Sequence, residues 1–156
     1  PGYSMRMQEV TAAMLTPQIE RLATIKQIHV ENWNLLHSLI HDHPNIEIPM
    51  PLAQVDPFCD TMQFHLVGLS RDKADQFIDL MKEEGIPMQI FGARRNARDY
   101  RQWEYIKAHQ DELKETIANI EFACDLSMQP HLTQDNIRVM GQVILDVLTY
   151  TGEQSS

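Results

Sequence analysis

The sequence predicts an α+β fold: a small antiparallel sheet of about three strands with helices on one face, preceded by a long N-terminal helix. Three observations predict it. Apolar residues recur at three- and four-residue steps through 7–42, the spacing of one helical face. The segment 61–91 reads as strand, helix and strand in succession. A second amphipathic helix follows Thr133. Elements of this kind bury their apolar sides by stacking in layers.

The long helix comes first. Val10, Ala13, Met14, Leu22, Ile25, Ile28, Trp33, Leu36, Leu39 and Ile40 form its stripe. A helix over 7–42 would be ~50 Å long at ~1.5 Å per residue. Pro17 removes a backbone donor and crowds the preceding turn, so a kink or break is expected near Thr16. His41, Asp42, His43, Pro44 and Asn45 end the helix with turn-forming residues. Four prolines then punctuate an extended connection, in which 46–50 suits a short edge strand.

Residues 63–69 are rich in aromatic and branched side chains and read as the first full strand. Ser70 can accept from the free amides of a following helix. Ala74, Phe77, Ile78 and Met81 make that helix's apolar face, and Gly85 supplies the left-handed residue after it. Residues 86–91 return as a strand, 92–99 form a polar loop, and 100–119 are mostly helical. Residues 125–129 form a third short strand, closed by Pro130. Thr133 caps the last helix, whose inner face is Ile137, Met140, Ile144, Val147 and Leu148. Residues 151–156 are expected to be a frayed tail.

Composition excludes several function classes. The 156 residues suit one core-bearing domain. A net charge of -9 argues against nucleic acid, which needs a positive patch. Arg94, Arg95, Arg98 and Arg101 are a local exception. No apolar run approaches the ~20 residues of a membrane span. Cys59 and Cys124 read as unpaired thiols of a reduced, cytoplasmic protein. His37, His41 and His43 share a helical region but lack a further ligand, so polar helix-end histidines are favoured over a metal site. His65 reads as a packed sheet residue, and Cys59 has no His partner in sequence.

The opening segment carries a family resemblance. Gly2-Tyr3-Ser4-Met5-Arg6-Met7, then Ala12-Ala13 and Gln18-Ile19-Glu20-Arg21-Leu22, resembles the Gly-Tyr-Asn-Tyr-Arg-Met, Ala-Ala and Gln-Leu-Glu-Arg-Leu run of the DegT/DnrJ/StrS aminotransferases. These are pyridoxal-phosphate enzymes of fold type I, many of them acting on nucleotide-linked keto sugars. The later order of elements is also similar, including an aromatic pair like Trp103 and Tyr105.

The resemblance implies that this chain is the C-terminal part of a longer enzyme. Residues 1–42 would be the end of the large domain and its connecting helix, and 43–150 the small α+β domain. The cofactor would be pyridoxal phosphate, the partners a keto substrate and an amino donor, and the assembly a homodimer. Arg6 and Ser4 map to positions that help hold the neighbouring subunit's cofactor phosphate, with Ser4 standing where the family has Asn. A guanidinium fork suits phosphate oxygens; the competing readings are a surface arginine and a turn serine.

After the second strand this chain has Phe91-Gly92-Ala93-Arg94-Arg95-Asn96 where many members have a His-containing motif. Arg94 and Arg95 could meet an anionic substrate group, against the reading of a solvated basic loop. Lys26, Lys73, Lys82, Lys107 and Lys114 all sit in polar helical contexts, whereas a Schiff-base lysine needs a lowered pKa. No catalytic residue is assigned, and the chain is not expected to transaminate alone. The alternative is a non-enzymatic α+β module that associates through its long N-terminal helix. On either reading, the apolar side chains at the start of that helix should be more exposed than those of 61–91.

Overall fold

The computed structural model describes residues 7–93, 99, 101, 103–105 and 113–153. Its centre is a four-stranded sheet in the order β1-β2-β4-β3. The strands are β1 (Ile46–Glu47), β2 (Thr61–Leu66), β3 (Met88–Ile90) and β4 (Ala123–Ser127), and every neighbouring pair is antiparallel. The helices are α1 (Glu9–Ile40), α2 (Arg71–Glu83), α3 (Lys114–Glu121) and α4 (Gln134–Glu153). The expected three strands are present, and the short edge strand makes a fourth.

Strand β4 lies between β2 and β3, so the unit β2-α2-β3 is a split β-α-β motif. Alternation along each strand explains the one-sided core. Met62, Phe64 and Leu66 of β2, Met88 and Ile90 of β3, and Cys124 and Leu126 of β4 are buried in one cluster. The cluster includes Phe77 and Met81 of α2, Leu36 and Ile40 of α1, and Ile137, Ile144 and Leu148 of α4. The intervening strand residues (Gln63, His65, Gln89, Asp125 and Ser127) are exposed or half-buried and polar. One apolar and one solvated face is the usual economy of an antiparallel sheet.

Local chemistry sets the helix ends. Ser70 Oγ accepts from Lys73 N at 3.4 Å, capping α2. At its other end Gly85 has φ +79°, its N–H donates to Lys82 O and the Ile86 N–H donates to Met81 O. That pair of bonds is a Schellman closure. Thr133 and Asn136 cap α4 reciprocally: Asn136 N donates to Thr133 Oγ1 at 3.2 Å, and Thr133 N to Asn136 Oδ1 at 2.9 Å. Helix α4 then runs past residue 150. Thr151 is fully buried and its hydroxyl donates to Val147 O at 2.7 Å, which places it in the helix and not in a tail.

Helix α1 corrects one expectation and meets another. It is one helix of 32 residues and passes through Pro17 without a break. Proline costs the bond to Ala13 O, but that carbonyl sits in an exposed stretch where water can replace the donor. The apolar side chains at its start are more exposed than those of 61–91, as expected. Residues 7–24 are exposed throughout, including Met7, Val10, Met14, Ile19 and Leu22. Burial begins near Ile25 and is complete at His29, Asn32, Leu36 and Ile40, where α1 packs on α4. Asn32 is satisfied there, its Nδ2 donating to Leu132 O at 3.0 Å. Gly141 permits the close approach, since a Cβ would lie 2.8 Å from Leu39 Cδ1.

These burials predict a contrast in stability. Phe64→Ala, which empties a fully buried site, should cost about 3–5 kcal/mol. Leu22→Ala, on the exposed part of α1, should change stability by no more than ~0.5 kcal/mol. Urea denaturation of the two variants checks this.

Candidate functional site

The loop that leaves β3 is the candidate site, because it carries the basic cluster. Arg94 and Arg95 lie outside the described residues, as do Arg6 and Ser4. The described residues show how the two ends of the loop are held. Gly92 N donates to Ile120 O at 2.9 Å. A Cβ at Gly92 would stand 2.9 Å from both Glu121 Cα and Ile120 O, so only glycine fits against that backbone. The other end is fixed by Asp99, which is 1% exposed. Arg101 Nε reaches both Asp99 carboxylate oxygens at 2.9 and 3.0 Å, and its Nη2 reaches Asp99 Oδ2 at 2.8 Å and Gly92 O at 2.9 Å. This planar fork closes the loop on itself. Arg101, one of the four clustered arginines, is therefore a structural residue.

Sequence reading missed Asp99. The signal was a carboxylate two residues before an arginine. Nearby, Arg71 Nη1 donates to Glu121 O at 2.9 Å and Arg71 Nη2 pairs with Asp75 at 2.9 Å, which ties α2 to the end of α3. Trp103 and Tyr105 stack at 5.8 Å between ring centroids, 16° from parallel.

The lysines divide simply. Lys26 is ion-paired with Asp56, Lys73 Nζ donates to Gly152 O at 3.3 Å, Lys82 and Lys114 are exposed, and Lys107 lies outside the described residues. Both cysteines are unpaired. Burial pushes the Cys124 thiol up to about 12, and burial raises Cys59 as well, despite Lys26 nearby. Neither is poised as a thiolate.

The histidines at the end of α1 form a ladder. Trp33 stacks on His37 at 5.1 Å and His37 on His41 at 5.0 Å; His41 Nε2 meets Asp42 at 3.1 Å. Desolvation, then the charge of His41, lowers the His37 pKa, and burial lowers that of His43. Among the described residues no three His, Cys, Asp or Glu side chains converge as metal ligands.

With this geometry in view, comparison with known proteins decides the family. The profile of the DegT/DnrJ/EryC1/StrS aminotransferase family matches residues 1–144. The chain belongs to that family. No curated protein sequence matches it. Several solved structures share the fold. A Streptococcus pneumoniae protein named as a sugar aminotransferase, in its PMP form, is 14% identical with a TM-score of 0.81, over 97% of this chain and 37% of that one. A 3-amino-5-hydroxybenzoic acid synthase is 20% identical with a TM-score of 0.77, over 96% and 41%. An E. coli GDP-4-keto-6-deoxy-D-mannose-3-dehydratase with bound hydrated PLP is 15% identical with a TM-score of 0.72, over 92% and 37%. The chain thus spans about two fifths of the length of the solved proteins it matches.

Two measurements follow. Gly92→Ala should cost ~1–3 kcal/mol through the backbone overlap, and Asp99→Asn about 2 kcal/mol through the weakened charged hydrogen bonds; denaturation midpoints report both. The histidine shifts favour the neutral rings in the folded chain. Stability is therefore fully present above the unfolded pKa near ~6.5 and is lost as pH falls through that value toward the lowered folded ones. Midpoints measured from pH ~8 down to ~5 should fall, and His37→Gln with His43→Gln should flatten the decline.

Proposed function

We propose that this chain is the C-terminal portion of a pyridoxal-phosphate-dependent aminotransferase acting on a keto sugar or related keto substrate. One observation carries the reading: the family match covers residues 1–144, while structural matches cover nearly all of this chain and only about two fifths of theirs. On this reading residues 1–42 are the end of the large domain with its connecting helix, and 43–150 the small domain. The longer protein works as a cytoplasmic homodimer with an amino donor as second substrate.

Pyridoxal phosphate, when bound, carries an amino group from donor to keto carbon. The described residues do not fit it as a complete site. A covalent anchor must be a desolvated lysine, and the described lysines are ion-paired, bound to a carbonyl or exposed. What this chain offers is narrower. Arg6, with Ser4, is suited to a cofactor phosphate by charge and donor geometry. Arg94 and Arg95 sit on a loop whose ends Gly92 and Asp99–Arg101 hold firmly, and they would meet an anionic group of the substrate. The chain alone does not transaminate.

Adding pyridoxal phosphate to the 156-residue chain should give no aldimine absorbance and no borohydride-trapped lysine. A trapped adduct at any of the five lysines would overturn this. In the longer protein, Arg6→Ala should weaken cofactor binding about tenfold or more, the loss of a charge-assisted hydrogen bond. Equilibrium dialysis of the cofactor measures it.

A further inference from the structure

Strand β1 ends after two residues, and the reason lies in its register. Ile46 pairs with Leu66 and Glu47 with His65. Continued, that register would set Pro49 opposite Gln63 and Pro51 opposite Thr61. Both positions call for a donor, and proline has none.

The main-chain groups left behind can be identified. Leu66 N donates to Phe122 O and Met128 N to Asp60 O, so the even-numbered residues of β2 bond toward β4. Val67 N donates to Asn45 O, so the odd-numbered ones face β1. Past Glu47 the N–H and C=O of Gln63 and Thr61 therefore point at the space β1 would have filled. Among the described residues neither has a main-chain partner on that side.

That space is a cleft of about 570 Å³, walled by Trp33 of α1, by Phe58, and by Pro49 and Pro51. Its volume lies in the range of sites that hold a ligand. Asp56 and Asp60 stand on its rim. Asp56 is paired with Lys26, whereas Asp60 has no cation against it among the described residues.

We infer that this notch accepts an extended peptide segment by strand addition beside β2. The segment would exchange main-chain hydrogen bonds with Gln63 and Thr61. Alternating side chains fall on opposite sides of a strand. Those on the helix side would be aliphatic, against Trp33 and Phe58; those on the other side would be basic, on the open sheet face that carries exposed Glu47 in an acidic protein. The occupant is thus a segment of alternating aliphatic and basic residues from a partner protein. The inference is independent of the aminotransferase reading.

Amide exchange followed by NMR on the full 156-residue chain tests it. Without peptide, the Gln63 amide should exchange much faster than those of Met62 and Phe64. An acetylated Val-Lys-Val-Lys-Val peptide at millimolar concentration should slow Gln63 by about tenfold or more and shift Trp33 fluorescence, leaving Gln89 unchanged. The same peptide with N-methylated backbone, or with Glu for Lys, should do neither. Gln63→Pro should keep the far-UV spectrum and lose the response. The inference fails if Gln63 is already as protected as Phe64, if its protection grows with protein concentration alone, which would assign the notch to a second copy, or if the peptides act alike or not at all.

Discussion

The insertion of β4 between β2 and β3 is the constraint on which the molecule depends. Strands β2 and β3 both pair with it and not with each other, so the four-stranded sheet is joined only once residues 123–127 are in place. The split motif makes the segment between β3 and β4 a closed excursion. It leaves at Phe91 and must return at Phe122, whose carbonyl accepts from Leu66. Gly92 against the Ile120–Glu121 backbone and the Asp99–Arg101 fork are the stitches that hold it.

Much of the fold was legible because its elements announce their ends chemically. Ser70, Gly85 and Thr133 each occupy the cap or closure their side chain or backbone freedom suggests. The aromatic and branched residues of 63–69 marked the strand, which runs over Thr61–Leu66. The errors have physical sources. Helical periodicity in α1 marked a face and not what meets it; the separate expectation that its first apolar side chains would be more exposed than those of 61–91 held. A proline in an exposed turn loses little, so the helix continues through Pro17 without a break. The prolines at 49 and 51 were legible as breakers, but their two-residue spacing against β2 needed the register.

The candidate site was less legible. Resemblance pointed to Arg6, Ser4, Arg94 and Arg95 by position, whereas the residues that shape the loop, Gly92, Asp99 and Arg101, act through backbone approach and ion pairing across the fold. The family itself was carried by a short motif and by the order of elements, and it stands over nearly the whole chain. That match favours the aminotransferase reading over an independent module.

Helix α1 has a mechanical meaning. Its buried half is gripped by α4 at Gly141 and by the Asn32 bond to Leu132 O, and the exposed residues 9–24 extend from that grip as a single rod. Sixteen residues at ~1.5 Å each make an arm of about 24 Å, so a tilt of about 5° at the grip carries its tip roughly 2 Å. Small adjustments where α1 meets α4 are thereby amplified at the other end, and the sheet is coupled to whatever holds that end by leverage.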